Sequence, residues 1–296
     1  MPKINQYVLM SGADYFNDQF AINAHMDSSI KVDVAAAINE HNSIKQAFMT
    51  AGIKVKQVPP PDSSQDGVYT ANWALIRHNK ALMSRLPNKR KSEEAYALNI
   101  LNQLGLETIT LPASVLRFSG QGDALACGDI VFTQSPYRTS IEAHSYLKKL
   151  LDFKEVVSLR TKPQRWHNIG WPVKNKITGW PDSPTYDIDL ALAVLKWPDQ
   201  GQKGLIAYCP DVFTAPSRRF LEDYQKVDKI KVNRDETLKA FCLNLVSTGE
   251  TVIMNTGAPI FKKQLEAEGL KVVCLDLPEL RKGGGSIRCS SLSLDG

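Results

Sequence analysis

The residue with the most chemical potential is Cys289, set in the run Lys282-Gly-Gly-Gly-Ser-Ile-Arg-Cys-Ser-Ser-Leu-Ser-Leu294. Glycines let a backbone come close to a ligand and adopt positive φ. Arg288 stands beside the thiol, and neighbouring positive charge favours the thiolate, the nucleophilic form of cysteine. That combination points to covalent catalysis by sulfur. The same residues also describe a glycine loop leading to a final strand with a buried cysteine, because free cysteines are often small core hydrophobes. Other chemistries find less support. Cys127, Cys209, Cys242 and Cys274 lie in or beside strand patterns and read as core. Five cysteines without CxxC spacing argue against both a zinc site and a disulfide framework. Ser290–Ser293 has no Gly-x-Ser-x-Gly elbow, and Gly120-Gln-Gly-Asp123 is too short for a dinucleotide fingerprint.

Such a cysteine has to be positioned by the rest of the chain, where short β-rich runs alternate with amphipathic helices in a recurring order. Strand 6–10, helix 32–51 and strand 53–58 come first; the helix carries Val34, Ala37, Ile38, Ile44, Phe48 and Met49 near 3.6 spacing and ends at Gly52. A strand pair at 67–76 and 81–84 precedes helix 92–104 and strand 108–111. The order repeats as strands 123–126 and 129–134, turned at Cys127-Gly128, then helix 140–151 and strand 155–159. It repeats again as strands 188–195 and 205–208, helix 217–225 and strand 229–232. The last round is strands 242–246 and 251–255, helix 258–268 and strand 271–276. A strand, strand, helix, strand unit occurring about five times implies units that bury their faces against neighbours in a ring. A doubly wound sheet would place a helix after nearly every strand. Residues 160–184, with Trp166, Trp171 and Trp180 among prolines and glycines, read as a long irregular loop of the kind that covers or binds.

Composition narrows the partners. Thirty-six basic against 31 acidic residues leave a net charge of +5, too small an excess for a nucleic-acid binder. The densest basic stretch, Arg85 to Lys91, is followed at once by Glu93 and Glu94 and reads as a solvated loop or helix start. No secretory signal opens the chain, and no window approaches a membrane span. Unpaired cysteines fit a reducing, cytoplasmic compartment.

Five motifs, taken in order, resemble those of the pentein family of guanidine-modifying enzymes, the arginine deiminases, dimethylarginine dimethylaminohydrolases and amidinotransferases. The ending GGGSIRCSSLSL is similar to that family's Gly-Gly-x-x-Cys terminus. Val68-Tyr-Thr-Ala-Asn-Trp73, Arg117-Phe-Ser-Gly-Gln-Gly-Asp-Ala-Leu125, Tyr137-Arg-Thr-Ser140 and Tyr186-Asp-Ile-Asp-Leu190 match other stations in register along nearly the whole chain. The resemblance implies an α/β pentein, a five-bladed pseudo-symmetric propeller of ββαβ units, formed by residues 1–296 as one catalytic domain. It implies a small guanidino molecule as substrate, with no metal or organic cofactor. Carried over by position, Cys289 is the nucleophile and Asp187 holds the acid/base position. Asp123 and Asp189 are carboxylates for the cation, Arg138 meets a substrate carboxylate, and Asn72 and Gln121 are further substrate-binding positions.

The sequence departs from the family where proton transfer is done. Asp187 stands in place of the histidine, Ser119 in place of a frequent glutamate, and Asn72 in place of an aspartate that some members carry. An ionised Asp187 would repel a thiolate, whereas an Asp187 buried beside other carboxyls could keep a proton and act as an acid. Among His25, His41, His78, His144 and His167, only His167, in the tryptophan-rich loop, is placed to substitute. Two readings stand. One is a hydrolase or transferase that cleaves a guanidine C–N bond through a thiouronium on Cys289. The other is an impaired pentein that binds a cationic ligand or a partner without turnover.

Overall fold

The computed structural model describes residues 3–165 and 170–295, and places five small sheets around a common axis. In chain order the elements begin with β1 (Tyr7–Met10), α1 (Val34–Thr50) and β2 (Lys54–Gln57). The second blade holds β3 (Ala74–Arg77), β4 (Lys80–Met83), α2 (Lys91–Gln103) and β5 (Glu107–Ile109). A helical turn, α3 (Gly120–Asp123), leads into the third blade, β6 (Ala124–Cys127), β7 (Ile130–Gln134), α4 (Ile141–Leu151) and β8 (Glu155–Leu159). The fourth comprises β9 (Leu192–Lys196), β10 (Gly204–Tyr208), α5 (Ala215–Asp223) and β11 (Val227–Lys231). After α6 (Arg234–Ala240) comes the fifth, β12 (Val246–Ser247), β13 (Thr251–Asn255), α7 (Pro259–Ala267) and β14 (Lys271–Leu275). The chain finishes with α8 (Pro278–Lys282) and β15 (Leu292–Ser293).

Within every sheet the middle strand pairs antiparallel with one neighbour and parallel with the other, the pattern of a ββαβ unit. The first blade is assembled from both ends of the chain. There β15 pairs antiparallel with β1 through Val8↔Ser293 and Leu9↔Leu292, and β1 pairs parallel with β2. The ring expected from the repeat is therefore present, closed by strand pairing instead of by a loop. Strands β3 and β7 are buried along their whole length, so apolar residues follow one another at 74–76 and 130–132 without alternation. The helices pack outside with one apolar stripe inward; α1 buries Ala37, His41, Ile44 and Phe48 and is capped by Asp33, which accepts from Ala36 N.

The structure corrects the expected strands where they approach the axis. Of 67–76 only residues 74–76 form strand, within β3, preceded by a 3-10 turn at Thr70–Trp73. Of 188–195 the first residues are a 3-10 turn at Ile188–Leu190, and Asp123 belongs to α3 instead of β6. Of 242–246 only Val246 is in β12, while α6 and α8 were not anticipated. These segments are as apolar and buried as strands, so periodicity cannot tell them apart. What sets them apart is that each curls to aim a polar side chain down the axis.

Candidate active site

The inward turns deliver their side chains to one place. Asn72, Gly122, Asp189, Asn244 and Cys289 stand at corresponding points of the five blades, two residues before Ala74-Leu75, Ala124-Leu125, Ala191-Leu192, Val246-Ser247 and Ser291-Leu292. Cys289 is buried, and its Sγ lies 3.2 Å from Asp189 Oδ2 and 3.1 Å from Asn244 Nδ2. The glycines ahead of it make the room, since a Cβ on Gly285 would stand 2.9 Å from Cys289 Cβ and against the Tyr69 ring.

Asp187 lines the same pocket as Cys289. Its Oδ2 accepts from Asn72 Nδ2 at 2.9 Å, while Oδ1 has no partner among the described residues. Asn72 also donates to Ser119 Oγ at 2.9 Å and accepts from Arg90 Nη1 at 2.8 Å. Arg90 is in turn held by a buried fork to Glu93, at 2.9 and 2.7 Å. Residues 85–91 do lead into a helix, α2 at Lys91, but the stretch is not solvated throughout. Lys89 and Lys91 are outward, but Arg90 is 5% exposed and lines the pocket. The chain from Glu93 through Arg90 to Asn72 fixes which end of the Asn72 amide faces Asp187, because a guanidinium can only donate. The close approach of Asn72 and Asp187 needs Gly122, where a Cβ would overlap Asn72 Nδ2 and stand 2.9 Å from Asp187 Oδ2. Gly122→Ala is therefore expected to weaken binding of a guanidino ligand by about tenfold or more, through loss of a hydrogen bond to a charged group. Calorimetry on the folded variant checks this.

The other expected positions divide. Arg138 lines the same pocket with its guanidinium over the Tyr186 ring at 4.9 Å, and its Nη2 donates to Ile22 O at 2.6 Å. Asp123 does not line the pocket; its Oδ1 accepts from Ile188 N at 2.9 Å, so it supports the turn that carries Asp187 and Asp189. Gln121 is corrected more sharply. It bonds Ser293 on both backbone groups and accepts from Arg288 Nη2 at 3.1 Å, lining a separate cavity of about 40 Å³ behind Asp189. Arg288 likewise points away from the sulfur, toward Gln121 and Asn5. Both residues stand one position before the inward set, which turns them to the far side.

Electrostatics in the pocket are set by crowding of acids. Burial first, and then the Asp187 charge, push the Asp189 carboxyl well above the usual carboxylate range. Burial raises Asp187 too, against the lowering pull of Arg138 and of its bonds to Ser119 and Asn72. Cys289 is pushed well up by burial and by both aspartates, with the Asn244 bond working the other way. The activation expected from Arg288 does not prevail in the empty pocket. Asp66, which also lines it, is raised to about 6, mainly by burial and against the opposing charge of Arg90. The pocket itself is narrow, with about 10 Å³ of free space, room for about one water.

No histidine lines this pocket among the described residues. His25 is nearest, its Nε2 2.6 Å from Pro184 O and its ring 4.7 Å from that of Phe241. His144 bonds Ser158 and Gln134, and His41 is buried under α1 with its pKa lowered to about 4 by burial. Trp166 and His167 lie outside the described residues. Among the described residues there is no group of His, Cys, Asp and Glu suited to a metal, and no helix is long and apolar enough to cross a membrane. Sequence reasoning missed Asn244, Arg90 and Asp66. The repeat register would have exposed Asn244, whereas nothing local marks Arg90 among its exposed neighbours.

No protein-family model matches the chain. Among characterised proteins it is similar to the N(G),N(G)-dimethylarginine dimethylaminohydrolase of Mycobacterium tuberculosis, with 31% identity over 99% of this chain and 87% of that one. It is also similar to the bifunctional arginine dihydrolase/ornithine cyclodeaminase ArgZ of Synechocystis, with 28% identity over 96% of this chain; it spans 37% of that longer protein. Among solved structures, the substrate-bound N-terminal domain of ArgZ, an arginine dihydrolase from cyanobacteria, superposes with a TM-score of 0.82 at 27% identity, covering 98% of both chains. A dimethylarginine dimethylaminohydrolase carrying S-methyl-L-thiocitrulline superposes at 0.70 with 20% identity over 98% of this chain and 99% of that one, a likeness of fold.

Proposed function

Because this chain belongs to the pentein family of dimethylarginine dimethylaminohydrolases and arginine dihydrolases, we propose that residues 1–296 act as one catalytic unit that hydrolyses a C–N bond of an arginine-like guanidine at Cys289. The observation that carries this is the placing of Cys289 Sγ against Asp189 Oδ2, in a pocket that also presents the unpaired Oδ1 of Asp187. Buried acceptors without donors are costly, and a planar cation bearing several N–H groups satisfies them.

The cation also reverses the electrostatics. Its charge offsets the repulsion between thiolate and carboxylates and lowers the Cys289 pKa. The thiol proton passes to solvent by way of Asp189 Oδ2, and the thiolate attacks the central guanidine carbon, forming the S–C bond as the C–N π bond opens. Asp187, holding a proton, delivers it to the departing nitrogen as the C–N bond breaks. Asp189 faces the resulting thiouronium cation. Water then adds to the carbon and gives a proton to the Asp187 carboxylate, and the S–C bond breaks to release the ureido product and restore the thiol. Arg138 meets the substrate's carboxylate. The scheme needs neither metal nor organic cofactor, and its free thiol suits a reducing, cytoplasmic compartment.

The substrate we favour has unsubstituted terminal nitrogens. Asp187 Oδ1 is a buried acceptor without a donor, which the N–H of an unsubstituted nitrogen satisfies and a dimethylated nitrogen placed there does not. The test is a ureido-product assay with arginine, methylated arginines, agmatine and guanidinoacetate, beside Cys289→Ala. Product from arginine or agmatine in excess of the dimethylated compound supports the reading. Absence of product, with guanidines still protecting Cys289 from alkylation, favours the binding protein that Asp187 and Ser119 also allow.

A pH dependence follows from the raised carboxyls. A bound guanidinium lowers the pKa of Asp189, while Asp187 keeps the proton it donates, so the complex holds fewer protons than the free protein. Affinity should climb as pH rises through the raised carboxyl range and flatten above it, with proton release on binding. Calorimetry in two buffers of different ionisation enthalpy reads this directly. Affinity that is flat or grows on acidification would mean that no carboxyl meets the ligand.

A further inference from the structure

We infer that Asn244 is a catalytic residue of this protein, the side chain that orients the Cys289 thiol and donates a hydrogen bond to its thiolate. The inference rests on the reading of Cys289 as the nucleophile. Asn244 is fully buried, and its amide spans the nucleophile, with Oδ1 accepting from Cys289 N at 3.2 Å and Nδ2 reaching Sγ at 3.1 Å. Amide ends are usually hard to assign, but here the chemistry decides. A backbone N–H can only donate, so the oxygen must face it and the NH2 must face the sulfur.

The residue is itself held fast. Its backbone N donates to Phe241 O at 3.0 Å, where Phe241 turns in the left-handed region at φ 51° and ends α6. Its backbone O accepts from Arg288 N, so side chain and main chain together strap residues 288 and 289. The titratable and charged groups acting on Cys289 are Asp187, Asp189, Tyr69, Tyr186 and Arg288. The two aspartates oppose ionisation, Tyr69 and Tyr186 are themselves buried, and the Arg288 guanidinium bonds Gln121 and Asn5 on the far side. Asp189 Oδ2 can accept the thiol proton but repels the thiolate. Asn244 is the donor left facing the sulfur when the proton leaves, and hydrogen bonds to a charged form favour that form.

The 296-residue chain without substrate is enough for the test. The pH–rate profile of Cys289 alkylation by iodoacetamide, localised by peptide mass, would be measured for wild type, Asn244→Ala, Asn244→Ser and Asn255→Ala. Asn255 is an equally buried amide nearby, bonded to Ser286 Oγ and Phe241 O and not to the sulfur. Loss of Asn244 Nδ2 should slow alkylation about tenfold or more below the midpoint and move the midpoint to higher pH. Asn244→Ser, which keeps a donor, should recover part of the shift, and Asn255→Ala should leave the profile in place. Unchanged profiles in both Asn244 variants, or an equal shift in Asn255→Ala, would overturn the assignment. Since alkylation reports the thiol whether or not a guanidine is turned over, failure here is distinct from failure of the hydrolase reading. A wild-type Cys289 that a cationic haloacetamidine alkylates no faster than buried Cys209 would overturn both.

Discussion

Cys289→Ala should lower release of ureido product by about 10⁴-fold or more, the scale on which nucleophile removal acts in covalent hydrolases. The loss should fall on chemistry and leave recognition in place. Asp187 and Arg138 line the pocket from other blades and are held by Asn72 and by Ile22 O, independently of the sulfur, while Asp189 loses only its contact with Cys289. Affinity for an arginine-like ligand is therefore expected to stay within a few-fold of wild type. The variant also removes a thiol that competes with substrate for the same carboxylates, so binding could tighten but should not collapse. Two measurements separate the outcomes, product formation over long incubations and intact mass after exposure to a haloacetamidine. The wild type should gain one adduct, and Cys289→Ala should gain none at that rate. Product formation that survives the substitution would remove Cys289 from the mechanism altogether.

The second large effect is expected at Asp187, where function and stability should move in opposite directions. Asp187→Asn keeps the shape and can still accept from Asn72 Nδ2, but it can no longer give or take a proton. General acid–base catalysis is worth about 10²–10⁴-fold, and turnover should fall by that order. Wild-type turnover should decline on the alkaline side, as Asp187 loses the proton it must donate, and this limb should vanish in the variant. The folded protein should meanwhile become more stable. A carboxyl whose folded pKa is raised favours folding while protonated and disfavours it as pH rises past the ordinary carboxyl range. The variant and wild type should therefore melt alike in acid and separate near neutrality, the asparagine form melting a few degrees higher. Asp187→His is the informative companion, since imidazole titrates near about 6.5 without help. If histidine raises turnover while asparagine costs nothing, Asp187 is not the acid.

Much of this was legible in the sequence, and the parts that were not share a cause. The recurring order of strands and helices was enough for a ring, and the glycine run before Cys289 marked the sulfur. The turns at 70–73 and 188–190 were read as strand because full burial erases the alternation that separates strand from turn. Asn244 went unremarked because Cys242-Leu-Asn-Leu-Val246 resembles none of the quoted motifs, although its spacing to β12 repeats that of Asn72 to β3. Gln121 was chosen by motif, yet it stands one residue before Gly122 and faces the opposite side, where it meets Arg288. In the helical turn α3 a step of one position rotates a side chain by about 100°, and that geometry outweighs residue type. Asp187 was identified as the site's departure, but only the buried fork from Glu93 through Arg90 to Asn72 explains how its carboxylate is held.

The blade closed by β15 has a consequence for how the molecule is made. A ribosome delivers β1 some 285 residues before its partner at Leu292–Ser293. For most of that interval β1 presents an unpaired edge, a template for wrong partners that must be shielded or left unformed. Cys289 lies three residues ahead of the closing strand, so the sulfur takes its place between Asn244 and Asp189 as the circle is completed. A nascent chain therefore holds the acids of the pocket before it holds the nucleophile, and a half-made enzyme has nothing with which to attack.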